Sequence, residues 1–216
     1  MPASAMSDSP PVNASDGPNG PRSDAAGTDA DTAAIDALCE RLRASDRDAF
    51  KTVFCQLSPR IFRFVRGMVA SDEKARDITQ ETFTKLWSIR TELDDVDSLT
   101  AYVFQMARNR VYNLQRDEQT RRTHETAVPS DALGGAPPAP DAELDADLLR
   151  TLLDRWIDEL PARQREALTL RRIDGMTHEA IADIMEISPN TVNNHIVRAL
   201  DHLRARLREH RPDLLP

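Results

Sequence analysis

The chain has 216 residues and a formal net charge of −8, a balance that taken whole argues against nucleic-acid binding. The acidic residues are unevenly spread, however. Residues 1–34 hold five acidic residues and one basic, residues 117–147 hold eight acidic and two basic, and the remainder holds twenty-three acidic and twenty-five basic. The rest of the chain is therefore close to neutral, and a DNA-binding function stays open.

The two cysteines, Cys39 and Cys55, show no metal-ligand spacing with each other or with the five histidines. We therefore expect no metal and no cofactor. No apolar run is long enough to cross a bilayer, and the N-terminus lacks the pattern of a signal peptide. These absences predict a cytoplasmic protein without membrane insertion.

Few aromatic residues, few glycines and apolar residues at helical spacing predict an all-α protein made of two small helical domains joined by a flexible linker. Residues 1–34 consist largely of small and polar residues and are predicted to be a disordered tail. The first helical domain is predicted over 35–116, the flexible acidic linker over 117–147, and the second helical domain over 148–211.

The first domain contains three predicted long helices, over 48–68, 71–89 and 98–116, and Pro59 is expected to kink or divide the first of them. On the second helix, Asp77, Gln80 and Glu81 are spaced i, i+3 and i+4, so they share one face. That face is either a solvated polar patch or a docking surface.

The third helix carries aromatic rings, arginines and amides away from its main apolar face. Rings can stack on unpaired bases and arginines can contact phosphates, so this side is a candidate surface for single-stranded nucleic acid. Aromatic residues on a helix also commonly belong to the core. The candidate residues are Tyr102, Phe104, Arg108, Asn109, Tyr112 and Arg116.

The second domain is predicted to be a four-helix unit that ends in a helix-turn-helix. Gly175 suits the end of one helix, Thr177 suits the cap of the next, and Ser188 with Pro189 begins the last. An apolar stripe at 192, 196, 199, 200, 203 and 207 leaves a polar face on the last helix. Amides and an arginine can read base edges, although any helical hairpin in a bundle also has a polar face. The candidate residues are Asn190, Thr191, Asn193, Asn194, His195 and Arg198.

Several segments in this order resemble bacterial sigma-70 family sigma factors of the extracytoplasmic-function (ECF) type. Residues 77–87 (DITQETFTKLW) are similar to the helix of that family that binds core polymerase, and residues 101–109 (AYVFQMARN) resemble the helix that opens the −10 promoter element. Five short segments, 160–161, 175–177, 179–182, 191–192 and 198–200, resemble the domain that reads the −35 element.

The resemblance implies a non-enzymatic protein that binds core RNA polymerase, recognises the −35 and −10 elements and promotes DNA melting. It assigns Asp77, Gln80, Glu81, Phe83 and Trp87 to core polymerase, through the β′ and β subunits. Promoter DNA and an anti-sigma factor are the other implied partners. Asn193 and His195 stand where many relatives have a lysine and an arginine, and Tyr102 stands where a tryptophan is common. The asparagine-rich segment 191–196 resembles the iron-uptake (FecI-like) branch.

Two other functions are compatible with parts of the sequence. A regulator that binds duplex operators without polymerase would share the C-terminal helix-turn-helix but would have no use for the faces at 77–87 and 102–116. A helical enzyme is disfavoured because the sequence shows no nucleophile–base pair and no glycine loop for phosphate.

Overall fold

A computed structural model describes residues 32–69, 71–94, 96–124 and 142–210 of the chain. Within these ranges there is no strand, and the all-α prediction is confirmed. Residues 32–36 are helical, and Arg90–Glu92 form one turn of 3₁₀ helix. The remaining helices are α1 (Cys39–Arg43), α2 (Arg47–Met68), α3 (Asp72–Ser88), α4 (Leu99–His124), α5 (Ala142–Asp158), α6 (Ala162–Asp174), α7 (His178–Met185) and α8 (Pro189–His210).

The first unit is a bundle in which α3 packs against both α2 and α4. Asp46 caps α2 by accepting hydrogen bonds from the amides of Asp48 and Ala49, and Ser71 caps α3 by accepting one from the amide of Lys74. Pro59 lies inside α2 without ending it, because it is exposed and the carbonyl that it leaves unbonded can face solvent.

The second unit comprises α5 to α8 and contains the predicted helix-turn-helix. Gly175 ends α6 with φ of 60°, and the Thr177 hydroxyl caps α7 by accepting from the Ala180 amide at 3.2 Å. Ser188 accepts from the Thr191 amide at 3.2 Å at the start of α8. Val192, Ile196 and Ala199 are buried as the stripe requires. Leu200, which was predicted to lie in that stripe, is 36% exposed.

The two units share one apolar core. α6 packs on α2 and α7 packs on α4, and buried residues of both units form one continuous cluster. Gly67 of α2 permits the close approach, since a Cβ at this position would lie 2.7 Å from Thr169 Cγ2 of α6. The units therefore lie directly against each other.

The predicted linker is helical at both ends. α4 continues to His124 and α5 begins at Ala142, so residues 117–124 and 142–147 are helical. Lys74 of α3 pairs with Glu118, which ties the extension of α4 to the bundle. Residues 125–141, and 1–31 of the predicted tail, lie outside the described residues. None of the described helices is both long and apolar enough to cross a membrane.

Candidate polymerase and DNA interfaces

The α3 residues predicted to dock polymerase form an exposed polar surface, which we call the docking face: Asp77, Gln80 and Glu81. Glu81 pairs with Arg110 of α4, whose Nη2 donates to Oε1 at 3.1 Å. This hydrogen bond raises the pKa of the Arg110 guanidinium. About half of each side chain is exposed, so the pair remains accessible to a partner.

An open apolar groove lies beside the docking face, between α2 and α3. Phe54 and Phe83 meet edge to face with ring centroids 4.9 Å apart, and the rings of Phe50 and Trp87 lie at the same distance. Phe83 is almost fully buried, whereas Phe54 is 41% exposed. We call this the aromatic groove; its volume is about 680 Å³, and Pro59 also lines it.

Apolar periodicity alone does not reveal the contribution of α2 to this groove, because Phe50 and Phe54 share the apolar face of α2 with the buried Val53 and Leu57. Both α2 and α3 carry an aromatic pair at i, i+4 spacing, namely Phe50 with Phe54 and Phe83 with Trp87. These two aromatic pairs on neighbouring helices were the sequence feature that could have indicated the groove.

The predicted single-strand residues of α4 do not all lie at the surface. Asn109 and Arg116 are exposed, and Tyr102 is half-buried. Phe104, by contrast, is fully buried, with its ring centroid 5.6 Å from that of Phe64. The expectation that Phe104 can stack on a base is therefore corrected, since its ring belongs to the core of the first unit.

Arg108 and Tyr112 of α4 lie in the contact with the second unit. Arg108 is buried, and its Nε donates to Oε1 of Glu166 at 2.6 Å. The Tyr112 hydroxyl donates to the other oxygen of Glu166 at 2.7 Å. Burial and this hydrogen bond together raise the pKa of Tyr112 well above its ordinary value. In this arrangement Arg108 is covered by the second unit, and Tyr112 is half-buried against it. The residues of α4 assigned to single-stranded DNA, without Phe104, are called the single-strand face: Tyr102, Arg108, Asn109, Tyr112 and Arg116.

The polar residues of α8 are accessible together and form the recognition face. Asn190, Asn193, Asn194 and Arg198 are exposed, and Thr191 and His195 are half-buried. Arg198 makes no ion pair with any residue that the structure describes. An exposed arginine flanked by amides on the second helix of a helix-turn-helix can contact phosphates and base edges in a major groove.

A metal site finds no support in the described part of the chain, where no three His, Cys, Asp or Glu side chains form a group that could hold an ion.

Family models place both units. Residues 53–121 match "Sigma-70 region 2" and residues 150–203 match "Sigma-70, region 4". The RNA polymerase sigma factor CarQ of Myxococcus xanthus is 30% identical over 172 residues, which cover 79% of this chain and 95% of CarQ. The ECF RNA polymerase sigma-E factor of Escherichia coli (strain K12) is 29% identical over 172 residues, which cover 75% of this chain and 88% of that protein.

Two solved structures share the fold. CnrH in complex with the cytosolic domain of CnrY has a TM-score of 0.62 at 20% identity and covers 82% of this chain and 99% of CnrH. The sigma factor RpoE of Bartonella quintana, in complex with the anti-sigma factor NepR, has a TM-score of 0.58 at 24% identity and covers 75% of this chain and 98% of RpoE. An operator-binding regulator without polymerase is not favoured by the matches to sigma-70 regions 2 and 4 and to CarQ. The chain belongs to the sigma-70 family and is a sigma factor that works with RNA polymerase.

Proposed function

We propose that this sigma factor joins core RNA polymerase through the docking face and the aromatic groove. The observation that carries the proposal is the exposure of Asp77, Gln80 and Glu81 directly beside an open groove lined by Phe54 and Trp87. Protein interfaces combine a central apolar pocket with a polar rim, and this surface offers both.

Replacing Gln80 and Glu81 together by alanine tests this proposal in a pull-down with core polymerase. Affinity should fall by more than about tenfold, because the double variant removes an amide and a carboxylate from the proposed contact and hydrogen bonds to charged groups contribute ~1.5–3 kcal/mol. Glu40→Ala is the control, because it removes one exposed carboxylate from the same unit on a different helix, α1. Far-UV circular dichroism should be unchanged in both variants. Normal core binding by the double variant would refute the assignment.

The two DNA surfaces divide promoter recognition. The recognition face reads the duplex −35 element, where asparagine pairs well with adenine and Arg198 contacts phosphate. The single-strand face captures the opened −10 strand, with Tyr102 and Tyr112 as stacking rings and Arg108 and Arg116 near phosphates. Melting of the −10 element then draws its free energy from capture of unpaired bases.

An anti-sigma factor is the third proposed partner. The support is that the structurally similar RpoE was solved with the anti-sigma factor NepR bound, and CnrH with the cytosolic domain of CnrY bound. The segment 191–196 supports assignment to the iron-uptake branch. Co-purification of the chain with the product of a neighbouring gene tests the partner, and free chain alone from the native host would count against it.

A further inference from the structure

Trp87 lies in the last turn of α3, where two side chains contact its indole ring. The centroid of the Phe50 ring is 4.9 Å away, with the two ring planes inclined at 57°. The guanidinium carbon of Arg90 lies over the indole, 4.2 Å from its centroid. A planar guanidinium at this distance makes a cation–π contact with the ring. Trp87 is half-buried and lines the aromatic groove, so the rest of its ring is open to a partner.

The guanidinium of Arg90 is itself held by two hydrogen bonds. Its Nη1 donates to the backbone carbonyl of Trp87 at 2.7 Å, and its Nε donates to Oγ of Ser45 at 2.9 Å. Ser45 is 45 residues away in sequence, so the second bond joins the end of α3 to the turn between α1 and α2. Because two nitrogens of one planar group are engaged, the plane of the guanidinium is fixed relative to the indole.

Ser45 occupies a backbone position that favours glycine. Its φ is 63°, in the left-handed region, which is uncommon for other residues. The Ser45 amide donates to the Leu42 carbonyl at 2.9 Å and the Asp46 amide to the Arg41 carbonyl at 3.0 Å, the pattern of a Schellman motif at the end of a helix. Glycine would relieve the steric strain but could not bind Arg90. The strained position therefore points to a role for the hydroxyl group.

We infer that Arg90 is a positioning residue for polymerase docking that acts through Trp87: it holds the indole in one orientation at the aromatic groove, and Ser45 holds Arg90. The inference rests on the proposed docking function of the groove. A side chain that is already ordered loses less conformational entropy when a partner binds. Without Arg90 the indole would have to be immobilised at each docking event, so the affinity for core polymerase falls.

Three variants perturb this arrangement to different extents. Arg90→Ala removes the stacked group and both hydrogen bonds, whereas Arg90→Lys keeps the charge but lacks the planar group. Ser45→Gly removes only the hydroxyl, and glycine adopts a φ of 63° without the steric penalty. Arg66→Ala is the matched control, since this arginine lies in the last turn of α2, at the opposite end from Phe50, and pairs with Asp72.

Fluorine NMR of the full chain labelled with fluorotryptophan reports the orientation of the indole directly. The chain has two tryptophans, so two resonances are expected, and Trp87→Phe assigns them. Trp156 is buried in the second unit and serves as the internal reference. The Trp87 resonance should be narrow in the parent protein. It should broaden and move towards the position of free fluorotryptophan in both Arg90 variants, while the Trp156 resonance stays in place.

Biolayer interferometry with immobilised core polymerase measures the consequence for docking. Arg90→Ala should weaken binding roughly three- to tenfold, the range expected when one more side chain must be immobilised on association. Ser45→Gly should weaken binding less, with no fall in the urea midpoint of unfolding, because it relieves backbone strain while releasing Arg90. A residue that served stability alone would not separate these two quantities. Arg66→Ala should bind as the parent does.

A double-mutant cycle tests whether Arg90 acts through the indole. In a Trp87→Ala background, Arg90→Ala should cause no further loss of affinity. An equal further loss there would overturn the inference, because Arg90 would then act independently of the ring. An unchanged Trp87 resonance in Arg90→Ala would overturn it as well. Arg90→Lys takes the place of Arg90→Ala in each comparison should that variant fold poorly.

The same measurements separate this inference from the proposed function on which it rests. If Trp87→Ala binds core polymerase weakly but Arg90→Ala binds normally, the inference is wrong and the docking role of the aromatic groove stands. If Trp87→Ala binds core polymerase normally, the groove is not part of the docking surface and the inference fails with it.

Discussion

The buried pair of Arg108 and Glu166 gives a quantitative prediction about the contact between the units. Removing Arg108 leaves the Glu166 carboxylate buried without its main partner, a situation that costs about 3–5 kcal/mol when the surroundings do not relax. Removing Glu166 likewise leaves the Arg108 guanidinium buried without its main partner. Removing both should therefore cost much less than the sum of the single changes, with a coupling of roughly 1–3 kcal/mol.

Urea unfolding followed by far-UV circular dichroism measures this coupling on Arg108→Ala, Glu166→Ala and the double variant. Arg110 and Glu81 form the matched control, because their arginine is also on α4 but about half of each side chain is exposed. Exposed pairs contribute about 0–1 kcal/mol, so the control should show little coupling. The reasoning is refuted if the two changes at the buried pair are additive to within about 0.5 kcal/mol.

Three further predictions concern single residues. The pKa of Tyr112 is raised by burial and by its hydrogen bond to Glu166, so this stabilisation of the contact between the units is present below pH ~10 and is lost as pH rises through the raised pKa. Ultraviolet titration should show a tyrosine that ionises at unusually high pH and that is missing from Tyr112→Phe. Persistence of that ionisation in Tyr112→Phe would contradict the assignment. Arg198→Ala should reduce the slope of log affinity for duplex DNA against log salt concentration by about 0.9. Arg204 is an exposed arginine on the same helix that pairs with Asp201, and Arg204→Ala should leave the slope nearly unchanged. Phe54→Ser should weaken core-polymerase binding with no more than a small change in the free energy of unfolding, because this ring is 41% exposed; a large loss of stability would place Phe54 in the core instead.

The helical units and their caps could be predicted because their signals are local. Thr177, Gly175 and Ser188 act within three or four residues of the chain, and the structure shows each of them in its predicted role. The side of α8 on which these polar residues lie could be predicted for the same reason, since the buried stripe of α8 determines which residues remain outside.

The contact between the units could not be predicted, because it depends on residues far apart in sequence. Arg108 and Glu166 are 58 residues apart, and periodicity alone does not show that another unit covers Arg108. The role of Gly67 could not be predicted either, because a side chain at this position is made unfavourable by Thr169, which lies beside it only in the folded protein. Phe104 was assigned to the wrong side of α4 because that helix is apolar on more than one face. The Phe104 ring packs against the ring of Phe64 in the core.

Run-off transcription with core polymerase, on the promoter upstream of the chain's own gene, tests most directly how the two DNA surfaces divide their work. Tyr102→Ala and Arg198→Ala are compared on a fully duplex template and on the same template with a premelted −10 bubble. On duplex DNA both variants should be defective, and loss of the Tyr102 ring should reduce activity roughly ten- to hundredfold because stacking is worth ~1–3 kcal/mol per base. The bubble should restore Tyr102→Ala but not Arg198→Ala. Rescue of both variants, or of neither, would contradict the division between a single-strand face on α4 and a duplex-reading face on α8.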